Sequence, residues 1–508
     1  MSRRQLAVQT YLSAIVVSVT GIAVGLITTP LLLRWVGDER VGAYRVAVEW
    51  VGYVALLDFG LMGGLQVALA RAIGRGDRQE VAAVVHAGMR GGVRLAILAG
   101  VCTFGLSWLI PYLLPGLSGE VRRELQVGLW VSLLGGLWGP LLVFRPLLEA
   151  SQRGYWVQWS SAVQYGLTGG LSVGLAAIGA GVPGLFLATV AGSGAASLLL
   201  TWQGVRRYPE IRTGWRQVVV LPSVFSGAMF LFNLCSRLSL MSDTIVIGLI
   251  LGPIEVVMFT VTQRLLLVVD TQILAVGTAV WPALADLYHR GQVERFNERL
   301  IQLTRWSGAL MGSMVVPVMA YTPAFVTLWV GDSRYGGHLL TVATAVFVWL
   351  HGVIALWGWP LVTLGRVHRL VPVMVVGTVV NVAVSVGGTW MWGVAGPALG
   401  SAVGYAVVHL GWMALLLHQE FRTPLRTLLQ AVVLPLLIAV PLGSLLFLWA
   451  DTFAPQKGGE GFGTSFGLTP WVLLGGHMVA SALVSGAIMG WSVLRGVDRR
   501  ELFLLLRR

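Results

Sequence analysis

The chain has 508 residues, 56% of them apolar and only 11% charged, with a mean hydropathy of +0.78. A water-soluble domain carries roughly 25% charged residues to hydrate its surface, so this composition excludes a soluble globule. The net charge of +13 rests almost wholly on arginine, and those arginines flank apolar runs, which argues against nucleic acid as the partner.

A bilayer core of about 30 Å takes roughly 20 apolar residues per helix. Runs of that size recur along the whole chain and predict an all-α polytopic membrane protein with about 14 transmembrane helices. In chain order they lie near 10–33, 43–69, 92–114, 125–148, 159–180, 183–203, 222–250, 255–282, 304–326, 338–364, 371–391, 394–417, 429–450 and 469–494. Arg3 and Arg4 precede the first run, which exceeds a signal-peptide core and lacks a small-residue cleavage site, so it reads as a retained span.

The basic residues cluster between spans on one side: Arg71 to Arg94, Arg206 to Arg216, Arg290 to Arg305, Arg366 with Arg369, Arg422 with Arg426, and the tail. Few lie on the other side. This positive-inside bias predicts both termini in the cytoplasm of a bacterial inner membrane. The basic, partly apolar tail "VLRGVDRRELFLLLRR" (493–508) is expected to lie along the inner face, attracted to anionic membrane lipids. Lys457 is the only lysine, so a phosphate-binding G-x-x-x-x-G-K-[ST] loop is excluded, and with it transport driven by the chain's own nucleotide hydrolysis. Cys102 and Cys235, the only cysteines, sit inside spans with no metal-ligand spacing. No cofactor or metal is implied.

The sequence also carries an internal duplication. "ALARAIGRGDRQE" (68–80) lies over "ALADLYHRGQVER" (283–295), and at the same offset Gly37, Val41 and Arg90 match Gly252, Val256 and Arg305. A nearby offset lays Gly181, Val182, Gly184 and Gly192 over Gly393, Val394, Gly396 and Gly404. A shared offset that links span, loop and next span signals repeated architecture. Six spans separate the copies, so both halves enter the membrane in the same orientation, and parallel repeats usually hold a substrate site at their interface. The expected organisation is two pseudo-symmetric six-helix lobes, 1–216 and 217–420, followed by two further helices and the basic tail in 421–508.

Several segments carry a resemblance: "TTPLLLRWVGDERVGAY" (28–44), "LLDFGL" (56–61), "SDTIVIGLILG" (242–252), "WPALADLYHRGQVERF" (281–296) and "LWVGDSRYGG" (328–337). The chain resembles the polysaccharide-lipid flippases of the multidrug/oligosaccharidyl-lipid/polysaccharide exporter superfamily. Departures are modest: arginine stands for lysines common in such proteins, and Met258-Phe259 stands where a Gly-Tyr pair is common. The resemblance implies a non-enzymatic transporter of an undecaprenyl-type, diphosphate-linked oligosaccharide that works by alternating access, with polysaccharide assembly proteins as further partners. Alternatives in the same superfamily are a peptidoglycan-precursor flippase and a drug or cation antiporter. A membrane glycosyltransferase or polysaccharide polymerase is opposed by the duplication and by the lack of a sizeable external loop.

Charges at membrane depth mark candidate function. Arg237 and Arg264, with Arg45 nearer the outer side, are candidates for binding a diphosphate head, because a planar guanidinium fork suits phosphate oxygens. Glu49, Asp58, Asp243 and Asp270 are candidates for ion coupling or gating. The competing structural role is pairing: Asp243 lies six residues from Arg237, and Asp270 six from Arg264. His351, His409 and His477 fall inside spans, where packing is the commoner role. Asn233 and Asn381 read as interhelical hydrogen-bonders. Trp357 and Trp359 read as belt or packing residues that are also capable of stacking on sugars.

Overall fold

The computed structural model describes residues 3–54, 61–212, 227–451 and 468–493, and among these the chain is helical throughout with short connections. The helices are α1 (Arg3–Trp35), α2 (Asp38–Val54), α3 (Leu61–Arg75), α4 (Arg78–Leu113), α5 (Gly119–Ser132), α6 (Phe144–Ala150), α7 (Gly154–Ala177) and α8 (Gly181–Arg207). They continue with α9 (Gly227–Ile250), α10 (Pro253–His289), α11 (Val293–Val330), α12 (His338–Thr363), α13 (Val367–Trp392), α14 (Gly396–Val403), α15 (Leu410–Phe421), α16 (Leu425–Asp451) and α17 (Leu468–Val493). Ten segments among the described residues are long and apolar enough to cross a membrane. Helices dominate because lipid offers no partners to backbone N–H and C=O groups, so each segment must satisfy its own.

The chain divides into two compact units, Met1–Phe230 with Gly252–Ile254, and Leu231–Leu251 with Glu255–Arg508. In the first, α7 packs on α1 and α8, and α3 packs on α4 and α6. Its core gathers Leu65, Leu69, Val85, Phe144 and Leu147. In the second, α11 is the central strut, packed against α12, α16 and α17. Met489 of α17 and Ala439 of α16 close over Ala309 and Val316 of α11, so both helices of 421–508 bury their apolar faces on that strut.

The repeat seen in the sequence has a conformational basis. Gly37 and Gly252, which end α1 and α9, both have positive φ (90° and 124°), as do Gly76 and Gly291 (73° and 74°), which end α3 and α10. Gly76 N–H bonds the Ile73 carbonyl and Asp77 N–H the Ala72 carbonyl; Gly291 bonds Tyr288 and Gln292 bonds Leu287 in the same pattern. This is the Schellman stop, in which a left-handed residue turns the chain back to satisfy the last carbonyls, and glycine adopts it without a Cβ clash. The matching glycines therefore perform one job twice.

Two local departures from α-helix have readable causes. The run at 125–148 contains a 3-10 stretch, Leu133–Val143. Pro140 supplies no backbone donor there, and a Cβ on Gly139 or on Gly92 of α4 would collide with the other residue's carbonyl oxygen, so the two backbones touch. The second is a π-helical turn, Gly404–His409, between α14 and α15. Several charged groups pair near helix ends. The Arg40 fork meets Glu124 (2.8 Å) and reaches Glu120 (2.7 Å), and Glu124 also accepts the Val182 N–H that opens α8. The hydrogen bond that Arg40 donates to Glu124 raises the pKa of its guanidinium above the ordinary value. Glu420 receives Arg366 (2.6 Å) and Arg369 (3.2 Å).

The tight seam between α13 and α14 yields a prediction. A Cβ on Gly396 would strike the Thr389 backbone amide, whereas one on Gly475 of α17 meets nothing. Gly396→Ala should destabilise the purified protein by about 1–3 kcal/mol, seen as a lower thermal midpoint, and Gly475→Ala should leave it unchanged or slightly higher.

Candidate functional site

The buried ionisable groups fall into separate settings. In the first unit Arg45 and Glu49 both lie half-buried on α2, four residues apart and so on one helix face. Beside them, Tyr44 Oη shares a 2.7 Å hydrogen bond with Thr189 Oγ1 of α8, and its ring meets the Phe186 ring edge-on. Asp58 lies outside the described residues.

In the second unit Arg237 is half-buried on α9, with Nε 3.3 Å from Met241 Sδ one turn on. Arg264 is half-buried on α10, and its Nε is buried without a hydrogen-bond partner among the described residues. A buried guanidinium donor lacking an acceptor is costly, of order 1–3 kcal/mol.

Asp243 is 9% exposed on α9 and takes its partner from across the bundle, not from Arg237: Ser401 Oγ of α14 donates to Oδ2 (3.2 Å). Asn381 Nδ2 of α13 donates in turn to Ser401 Oγ (2.9 Å). Asp243 Oδ1, Asn381 Oδ1 and Ser242 Oγ are buried with no partner among the described residues. The hydrogen-bonded row Asp243, Ser401 and Asn381 thus keeps acceptor capacity to spare, and hard cations take oxygen ligands of this kind. Nearby, Ser239 and Thr378 share a 2.8 Å bond, and Thr378 also donates to the Cys235 carbonyl.

Asp270 likewise pairs elsewhere than with Arg264. Its Oδ1 lies 2.8 Å from His351 Nδ1 of α12, and both side chains are nearly buried. The Phe347 ring stacks on His351 (5.5 Å between centroids, 20° between planes), and Tyr405 meets His351 edge-on at 5.3 Å. Tyr405 in turn stacks on His409 at 4.3 Å. His409 Nδ1 donates to the Gly404 carbonyl (3.1 Å), and its Nε2 is buried without a partner.

Asn381 is the interhelical hydrogen-bonder expected from the sequence. Trp357 is fully buried and donates to Thr304 Oγ1 (3.1 Å), so it is a core residue and offers no face to a sugar. Sequence reading passed over Ser401, Ser242 and Tyr405. The signal was present as a stripe: Ser401, Tyr405 and His409 recur every four residues, and Asn381, Ser385 and Thr389 do the same on α13.

This fold, with carboxylates, histidines and arginines buried among long apolar helices, is shared with solved membrane proteins. It superposes on the lipid II flippase MurJ in an inward closed conformation with a TM-score of 0.67 at 12% identity, covering 97% of this chain and 100% of that one. An inward-facing multidrug resistance MATE family transporter gives 0.58 at 19% identity over 86% and 94% of the chains. An outward-facing MATE family transporter gives 0.57 at 19% identity over 88% and 97%. No curated protein matches the chain by sequence. The family described as "Polysaccharide biosynthesis protein" matches residues 8–288, more than half of the chain, and the protein belongs to that family.

The Asp270 contact can be tested on its own. Asp270→Asn keeps an acceptor for His351 and should shift the thermal midpoint little. Asp270→Leu leaves the buried imidazole donor unmet and should cost about 1–3 kcal/mol, measured by thermal unfolding in detergent.

Proposed function

We propose that this protein flips an undecaprenyl-type, diphosphate-linked oligosaccharide from the inner to the outer leaflet of a bacterial cytoplasmic membrane, by alternating access and without covalent chemistry. The observation that carries the proposal is the buried Arg264 Nε, which has no acceptor among the described residues. A diphosphate supplies such an acceptor, and a guanidinium binds it with paired, charge-assisted hydrogen bonds. Arg237 and Arg45 are assigned to the same task from their half-buried positions. Membership of a polysaccharide biosynthesis family supports a glycan-bearing cargo. The one-sided distribution of arginines supports cytoplasmic termini. Membrane lipids and polysaccharide assembly proteins are the proposed partners.

Asp243 is assigned to the coupling ion. A cation among Asp243 Oδ1, Asn381 Oδ1 and Ser242 Oγ would satisfy three buried oxygens at once, and its binding free energy would then be available to bias one conformation over another. Glu49 and Asp58 are assigned to coupling or gating in the first unit. A peptidoglycan-precursor cargo is the second reading, favoured by the full-length likeness to a lipid II flippase.

Two measurements test these assignments. In proteoliposomes carrying a fluorescent polyprenyl-diphosphate sugar, the wild type should move the lipid between leaflets, and Arg264→Ala and Arg237→Ala should each slow it about 10-fold or more, equivalent to ~1.4 kcal/mol. Normal rates in both variants would remove the arginines from the site, and faster movement of a muramyl-peptide lipid would favour the second reading. For the ion, sodium should raise the thermal midpoint of the wild type but not of Asp243→Asn. An equal rise in both proteins would dismiss Asp243.

A further inference from the structure

Helices α10 and α12 are joined by two polar rungs spaced one heptad apart on each helix. Gln263 Nε2 donates to Thr344 Oγ1 (3.0 Å), and seven residues further along both helices Asp270 meets His351 (2.8 Å). The first rung does its structural work with neutral groups. The second does the same work with a carboxylate and an imidazole, which packing alone does not require and which lipid surroundings make expensive.

We propose that Asp270 and His351 form a one-proton site inside the second unit, and that Tyr405 relays its state to His409 and the π-helical turn. This rests on the transporter reading above and deepens it by naming what a second buried carboxylate does. With His351 neutral, Nδ1–H donates to Asp270 and the pair carries a net charge of −1. A proton taken up at His351 Nε2 makes an imidazolium facing a carboxylate, with net charge zero. In a low-dielectric interior the neutral pair is the favoured form, so release of the proton leaves a buried charge that the surroundings must rearrange to accommodate.

The surroundings are built to register that change. Phe347 covers one face of His351, and Tyr405 stands between His351 and His409. Two further titratable rings follow, Tyr405 against His351 and His409 against Tyr405. Of the other elements packed on α12, α11 brings Met311 and Val315, α13 brings Leu370 and Val373, and α15 brings Met413 and Ala414 to the shared core, while the charged side chain nearest to Asp270 along α10 is Arg264. The next ring, His409, keeps one nitrogen without a hydrogen-bond partner among the described residues. Its Nδ1–H is committed to the Gly404 carbonyl, so the bare, buried Nε2 carries the lone pair. Gly377 of α13 makes room for this ring, since a Cβ there would overlap His409 Cε1. Tyr405 and His409 both belong to the π-helical turn Gly404–His409, a geometry found often at functional positions. Ser401, which holds Asp243, lies four residues before Tyr405. One segment therefore touches Asp243 and the imidazole that holds Asp270.

The test is infrared difference spectroscopy on the full-length protein in nanodiscs, cycled from about pH 5 to about pH 8, the range in which imidazole titrates. The wild type should show coupled imidazole and carboxylate bands that are lost in His351→Gln and in Asp270→Asn. Both replacements retain a hydrogen-bonding side chain, and size-exclusion chromatography checks that they fold. Unchanged bands in both folded variants overturn the proposal. In parallel, translocation of the fluorescent polyprenyl-diphosphate sugar should depend on pH in the wild type, and that dependence should flatten in His351→Gln. A uniform loss of rate that keeps the wild-type pH profile also overturns it. If the wild type moves no lipid while the bands vanish in the variants, the cargo assignment fails and the proton site stands.

Discussion

Lipid offers a buried polar group no partner, and that constraint organises this molecule. The buried carboxylates of the second unit draw their partners from other helices. Asp243 is met by Ser401, which is met by Asn381, while Asp270 is met by His351. These contacts tie α9 to α13 and α14, and α10 to α12, where apolar side chains on their own would gain little by choosing each other over lipid tails. Helix association in the second unit thus depends on the same groups that carry its candidate chemistry.

The duplication and the small residues serve that end. Glycines that stop α1, α3, α9 and α10 recur at one offset and all have positive φ, and the turns at Gly76 and Gly291 share one hydrogen-bond pattern. Within the bundle, glycines set distance. Gly92 lies against Gly139, Gly396 against Thr389 and Gly400 against Ser385, and each removes a side chain that would hold two backbones apart. Close approach of α13 and α14 is what brings Asn381 within reach of Ser401.

The two carboxylates of the second unit differ in kind. Asp243 meets the neutral oxygen of Ser401, which meets Asn381 in turn, and is proposed to hold a cation. Asp270 sits against an imidazole with rings stacked beyond it, and is proposed to share a proton with it. The segment from Gly396 to His409 addresses both, through Ser401 and then through Tyr405 and His409. A helix that switches from α to π winding over those residues has two ways of pairing its carbonyls, which makes it a natural place for a change at one carboxylate to be felt at the other.

Sequence alone determined the class, the helical architecture and the repeat. Hydropathy and the run length needed to span a bilayer are properties of local composition, and a copied segment preserves its offset whatever it packs against. It also marked Arg237, Arg264, Asp243 and Asp270 as unusual, because charge within an apolar run is visible one residue at a time. Partners were a different matter. Spacing of six along the chain suggested arginine for each aspartate, but six residues is about 240° of helix rotation, which turns the two side chains to different faces. Tertiary structure decided that α14 and α12 present serine and histidine to those carboxylates. It also decided that Trp357 is core, and that Ser401, Tyr405 and His409 form a stripe in which Ser401 meets Asp243 and Tyr405 lies between His351 and His409. Such pairings depend on which helices lie side by side, and that is settled by long-range packing rather than by neighbours in the chain.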